Sequence, residues 1–246
     1  MMKLLGIALG AGVTSAVLFA VTTTASPAAL LLAYLAPLPI MIVGLGFAHP
    51  AGAAAALIGG GTVGLAMGPV AGLLFLVALG LPAWYLARLA VLGRPVAAVA
   101  GQPGGQAPVE WFPVAALMLR LAGLATAPVL LAGALLIWRS GGYGAAIDRM
   151  SDLLASVLAR DKLPGDIRFF DLIRLAPVAM AASGAMMLAA NLWLAARAVK
   201  ISDRLPRPWP NLPDALRMPR PAAAALAVLV AGSFLPDPYG LSLIHI

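Results

Sequence analysis

The sequence predicts an all-α fold, a polytopic transmembrane helical bundle of about seven spans, on three observations. From Leu4 to Ala87 the chain runs 84 residues without one Asp, Glu, Lys or Arg, whereas a soluble domain needs a charged outer face on nearly every helix or strand. Charged residues make up 10% of the chain and apolar ones 62%, against about 25% charged in an ordinary soluble domain. Uninterrupted apolar runs long enough to cross roughly 30 Å of hydrocarbon at about 1.5 Å per residue recur along residues 1–240, which read as one membrane-embedded domain.

The spans fall at Leu4–Val21, Leu30–Phe47, Ala51–Met67, Val70–Leu92, Pro113–Trp138, Leu172–Ala196 and Ala222–Leu235. Pro27, Pro50 and Pro69 stand where a helix can begin, because the missing N–H costs least there. Pro37, Pro39 and Pro82 lie inside spans and are expected to kink them, with the freed carbonyls satisfied by neighbouring helices or water. The first 25 residues also carry marks of a secretory signal, a basic Lys3 and small residues at 25–28, but an 18-residue apolar run followed by further spans favours an uncleaved helix.

Between the spans, Gly93–Pro108 is rich in Gly, Pro and Gln and reads as a flexible linker. Residues 145–171 hold an amphipathic segment, with Ile147, Met150, Leu154, Val157 and Leu158 at helical spacing opposite Asp148, Arg149, Asp152 and Ser156. A helix lying flat on the outer surface is expected there, with a lid over a solute site as the alternative. Residues 200–220 place Pro206, Pro208, Pro210, Pro213 and Pro219 among basic residues and Trp209, which favours an extended basic loop.

Positive residues near span ends tend to stay cytoplasmic. With the N-terminus inside, Lys3, Arg88, Arg94, Arg197, Lys200, Arg204, Arg207, Arg217 and Arg220 share the cytoplasmic side. Arg139, Arg149, Arg160, Lys162, Arg168 and Arg174 share the other, interleaved with five Asp residues. The expected location is the bacterial inner (plasma) membrane.

Composition and motifs exclude several classes of function. Cysteine is absent, which removes disulfide frameworks and thiolate chemistry. The formal charge of +7 does not indicate nucleic acid, because the basic residues flank apolar segments and form no water-facing patch. Gly59, Gly61 and Gly64 match a dinucleotide spacing, yet the next acidic residue is Glu110 and no strand precedes them. His49 and His245 stand alone. No acid and base pair or metal cluster lies at matched depth, so neither an enzyme nor a cofactor is expected.

Five small residues, Gly52, Ala56, Gly60, Gly64 and Gly68, recur every fourth position and align on one helix face. Such a face packs helices closely in lipid, and a thin helix of this kind could also border a cavity. Arg120 is ionisable within the fifth span. It either snorkels to an interface or pairs in the interior with Glu110 or Asn191. Asn191 is expected to make an interhelical hydrogen bond. These three are the weak candidates for substrate binding.

Three stretches carry a resemblance: Leu81-Pro-Ala-Trp-Tyr-Leu-Ala-Arg88 running to Arg94-Pro95, Glu110-Trp-Phe-Pro113, and Asn191-Leu-Trp-Leu through Arg204-Leu-Pro-Arg-Pro-Trp-Pro210. They resemble the YybS-like family of predicted bacterial membrane proteins, a domain of unknown function, in its alphaproteobacterial form. That family is similar at superfamily level to the substrate-binding membrane subunits of energy-coupling-factor transporters. The resemblance implies a helical bundle and, by analogy, a small-solute site.

The expectation is therefore a multi-pass membrane protein that binds or transports a small solute; the alternative is a membrane scaffold or regulator acting through the basic Pro-rich loop on a membrane or cytoplasmic protein. The lipid bilayer is the one partner both share. Leu241–Ile246 resembles the conceptual translation of a sequencing adapter, and the preceding apolar run of 14 residues is short for a span. A non-native tail on a frame lacking a later span is expected.

Overall fold

A computed structural model of the chain describes residues 2–24, 26–95, 109–142, 144–152 and 169–208, and over 169–175 the backbone alone. The seventh predicted span, most of the amphipathic segment, the basic loop beyond Pro208 and the tail 241–246 lie outside these residues. Among the described residues, six helical segments are long and apolar enough to cross a membrane: Met2–Thr24, Pro27–Gly46, His49–Met67, Pro69–Ala90, Val114–Ser140 and Ala176–Ile201. The all-α expectation holds, and the protein is membrane-embedded. The chain divides into two compact units, Met1–Leu124 with Ala185–Arg217, and Ala125–Gly184 with Met218–Ile246.

In the first unit, α1 (Met2–Ala20) closes in a 3₁₀ turn, Val21–Thr24. There the hydroxyls of Thr22, Thr23 and Thr24 each donate to the carbonyl three residues back, which satisfies helix-end acceptors that lipid cannot. The second span is two helices, α2 (Pro27–Tyr34) and α3 (Leu38–Gly46). Ser26 caps the first, its Oγ accepting the Ala29 N–H at 3.1 Å, with Pro27 in the opening turn as expected.

The expected kink at Pro37 and Pro39 is thus a full break, and the hydrogen bonds explain it. Neither proline can donate to the carbonyl four residues back. The chain instead tightens, Leu35, Ala36 and Leu38 each donating to the third residue back at 3.0 Å. That releases the Tyr34 carbonyl from the helical pattern.

The third span is α4 (His49–Met67), opened by Pro50. Four members of its small-residue stripe pack as predicted. A Cβ at Gly52 would lie 2.9 Å from Gly44 Cα, and one at Gly60 would meet the Leu76 side chain at 2.3 Å. Ala56 is fully buried, and Gly64 faces Gly72. Gly68 departs from the prediction. It is the C-cap of α4, with φ +99°, and a Cβ there would meet nothing within 4 Å, so it turns the chain and adds no close packing contact to the stripe.

The fourth span begins at Pro69 with α5 (Pro69–Phe75), widens into a π-helical turn over Leu76–Gly80, and continues as α6 (Leu81–Ala90). The Leu81 N–H donates to the Leu76 carbonyl, five residues back. Pro82 follows, so the missing donor falls where the helical register is already shifted. Phe75 is fully buried and meets Phe19 edge-on at 5.4 Å, tying α5 to α1.

Gly93–Pro95 and Val109–Trp111 form a two-stranded antiparallel sheet, β1 and β2, which corrects the reading of 93–108 as linker throughout. Arg94 stands opposite Glu110 and pairs with it at 2.6 Å, while the Phe112 N–H donates to the Leu92 carbonyl at 2.8 Å. The sheet joins the end of α6 to the start of α7 (Val114–Ser140).

The second unit takes in the later half of α7, a helix over residues 144–152 (α8), and the earlier half of α9 (Phe169–Ile201). α7 ends in a Schellman turn, Gly142 N–H to the Ile137 carbonyl and Gly141 N–H to that of Trp138, with Gly141 at φ +81°. In α8, Ala146 is buried and Ile147 half-buried, while Asp148, Arg149 and Asp152 are exposed, as is Met150 of the expected apolar face. Gly184 of α9 packs against Ala125 of α7 at ordinary contact distance.

Candidate functional site

Two features of the first unit combine shape with polar chemistry. The first is the break in the second span. Ser15 of α1 is fully buried and its Oγ donates to the Ala36 carbonyl at 2.6 Å. Asn191 of α9 is 2% exposed, and its Nδ2 donates to the Tyr34 carbonyl at 2.6 Å and to the Met187 carbonyl at 2.8 Å. The two carbonyls flanking the break are therefore held by side chains from two other helices. This is the condition for irregular backbone at membrane depth, since an unmade hydrogen bond there costs several kcal/mol. Both N–H groups of the Asn191 amide face carbonyls, and its Oδ1 is buried without a hydrogen-bond partner among the described residues.

The second feature is a cavity of about 210 Å³ at the end of the bundle where α3, α6 and α9 finish and α7 begins. Leu45, Ala90, Val114, Leu117 and Met118 line it from α3, α6 and α7, and Ala189, Leu192, Trp193 and Ala196 from α9. Leu205, Arg207 and Pro208, which follow α9, complete the lining. The segment reaches this position through local geometry. α9 ends in a Schellman turn, Arg204 N–H to the Val199 carbonyl and Asp203 N–H to that of Lys200, with Asp203 at φ +53°. Asp tolerates that left-handed conformation better than most residues. Arg204 then lies 4.5 Å from the centre of the Phe47 ring, at the C-cap of α3.

Arg207 is the one charged residue of the lining. Its Nη1 donates to the carbonyl of Ala90, the last residue of α6, at 3.1 Å, which places a cation at a helix C-terminus. Burial pushes the guanidinium below its ordinary value. It stays charged, because arginine begins so far above any working pH.

The three predicted candidates do not form one site. Arg120 is exposed in the second turn of α7, where its Nη1 donates to Tyr85 Oη at 2.6 Å and its guanidinium lies 5.1 Å from the centre of the Phe112 ring. Glu110 is engaged with Arg94 on the sheet. Pairing of Arg120 with Glu110 or Asn191 is thus corrected: Arg120 engages Tyr85 and Phe112, Glu110 engages Arg94, and Asn191 donates to backbone carbonyls. Asn191 makes the predicted interhelical bond, to the break. Among the described residues no three His, Asp or Glu side chains stand close enough to hold a metal ion.

Ser15 and Arg207 carried no signal of their own. Ser15 is a lone hydroxyl among many small residues, although its spacing from the prolines of the next span could have matched a donor to freed carbonyls. Arg207 was one basic residue among several in a loop. No protein-family model matches this chain, and neither a curated protein nor a solved structure does.

Proposed function

We propose that this membrane protein binds a small, largely apolar solute in the cavity formed by the ends of α3, α6 and α9 and the start of α7. The observation that carries this reading is the cavity itself, about 210 Å³ with a nearly all-apolar wall and a single convergent charge. Concave apolar space with few polar groups is the common form of a small-molecule site. An engineered cavity of about 150 Å³ already takes a benzene ring. The resemblance to substrate-binding transporter subunits points the same way. Leu205, Arg207 and Pro208 belong to the Pro-rich segment and line this space, which favours solute binding over partner docking for that part of the loop.

The reading is of binding rather than catalysis, in a bacterial inner membrane with the basic end of the bundle cytoplasmic. A reporter fused after Gly142 that reads as non-cytoplasmic supports this orientation, and one that reads as cytoplasmic overturns it. For binding, the test is thermal unfolding of the purified full-length protein against a panel of apolar and amphiphilic metabolites. A ligand-dependent rise in Tm that Ala189→Leu abolishes by filling the cavity is the expected result. No shift with any compound overturns the reading.

A further inference from the structure

Resting on the solute-binding reading above, we infer that the cavity selects anionic amphiphiles, with a carboxylate or phosphate head on Arg207 and an apolar tail between α7 and α9. Four observations converge on this class of ligand.

First, Arg207 is half-buried, yet among the described residues its hydrogen-bond partner is a single neutral carbonyl, that of Ala90. A guanidinium offers five N–H donors in a fork that matches a carboxylate or phosphate. Second, no carboxylate among the described residues pairs with it. Glu110, the acidic residue nearest in sequence to the α7 wall, is taken by Arg94. A half-buried cation with no counter-charge among the described residues favours an anion arriving from outside, and the lowered basicity of the group reports that same desolvation.

Third, Arg207 is the one charged residue of the lining and the rest of the wall is apolar, with Leu117 and Met118 from α7 and Leu192 and Trp193 from α9. A ligand that satisfies both regions must be charged at one end only. By proportion to the cavity that takes benzene, the space holds a tail of about eight carbons. Fourth, the site lies at an end of the spanning helices. Trp193 is 48% exposed and Arg197 lies 5.5 Å from the centre of its ring, the pairing of aromatic and cation expected at the headgroup level. An amphiphile entering from the leaflet would carry its head at that depth. Primary amines are excluded by the same charge that draws carboxylates.

The experiment uses the full chain in nanodiscs of zwitterionic lipid, titrated with octanoate, octyl phosphate, octanol and octylamine, and read by thermal shift and calorimetry. Octanoate and octyl phosphate are expected to bind at least tenfold more tightly than octanol, and octylamine not at all. Arg207→Gln collapses the octanoate-to-octanol ratio towards one, and Arg207→Lys restores part of it. A parallel arm in nanodiscs containing anionic phospholipid separates two sources of the head. If the membrane supplies it, these discs raise Tm without added octanoate and blunt the octanoate response. If a free acid supplies it, octanoate acts equally in both discs.

Octanol and octylamine binding as tightly as octanoate overturns the selectivity while leaving solute binding intact. An Arg207→Gln protein that folds and keeps the wild-type ratio does the same. Failure of every probe, neutral or charged, in both kinds of disc overturns the two readings together.

Discussion

The second span and α7 both contain proline, and only one of them breaks. Pro37 and Pro39 divide Pro27–Gly46 into two helices, whereas α7 runs through Pro128 as a single helix of 27 residues. The difference follows burial. In its most apolar stretch, 44% of Pro27–Gly46 is buried against 11% for Val114–Ser140. A break exposes carbonyls, and only where other helices surround it can side chains such as Ser15 and Asn191 supply donors. A helix facing lipid has no such donors and must keep its own ladder. Of these two proline-containing spans, the one that breaks is the more crowded.

That contrast can be broken most forcefully by adding bulk. A Cβ at Gly72 would lie 2.6 Å from the Gly60 carbonyl oxygen and 2.7 Å from Gly64 Cα, both backbone atoms that cannot swing away. Gly72→Leu is expected to lower stability by about 3 kcal/mol or more, or to prevent folding. Gly133→Leu in α7, where nothing lies within 4 Å, should stay within about 0.5 kcal/mol of wild type. Thermal unfolding in one detergent measures both. Equal losses at the two positions would remove burial as the distinction.

Removing a donor at the break is the next largest effect. Asn191→Leu and Ser15→Ala each strand a carbonyl, at about 1–3 kcal/mol apiece. Hydrogen exchange should rise in 34–41 and stay unchanged around Pro128. A smaller effect is expected at the end of α9. Asp203→Val forces a β-branched residue into φ +53° and should lose about 1–2 kcal/mol, whereas Asp203→Gly is neutral or better. Smallest is Arg94→Ala, under about 1 kcal/mol, because its pair with Glu110 is exposed and screened.

Much of this architecture was legible in the residues, because membrane insertion writes itself into composition. The first six predicted spans lie within a few residues of the helical segments, and Pro27, Pro50 and Pro69 open helices as helix-start chemistry requires. Gly52, Ala56, Gly60 and Gly64 announced a packing face by period alone. The site was far less visible. Asn191 in its span suggests an interhelical bond, but nothing local marks its partner as a break 157 residues away. The strand at Gly93–Pro95 has a linker's composition and gains its shape from pairing across a sequence gap. Arg207 differs from Arg204 only in where the turn at Asp203 delivers it. Such facts depend on distant parts of the chain meeting, and local pattern holds no record of that.

The π-helical turn at Leu76–Gly80 acts as a phase shifter for everything that follows it in the span. One extra residue in a turn rotates the next helix by about 100° relative to an uninterrupted one. Trp84, whose Nε1 reaches the His49 carbonyl, and Tyr85, which receives Arg120, both lie beyond that turn and meet their partners with the added angle in place. Deleting one residue between Leu76 and Gly80 would leave the span's length and hydropathy almost unchanged. Both side chains would swing a quarter-turn away, uncoupling the start of α4 and the start of α7 from one helix in a single step.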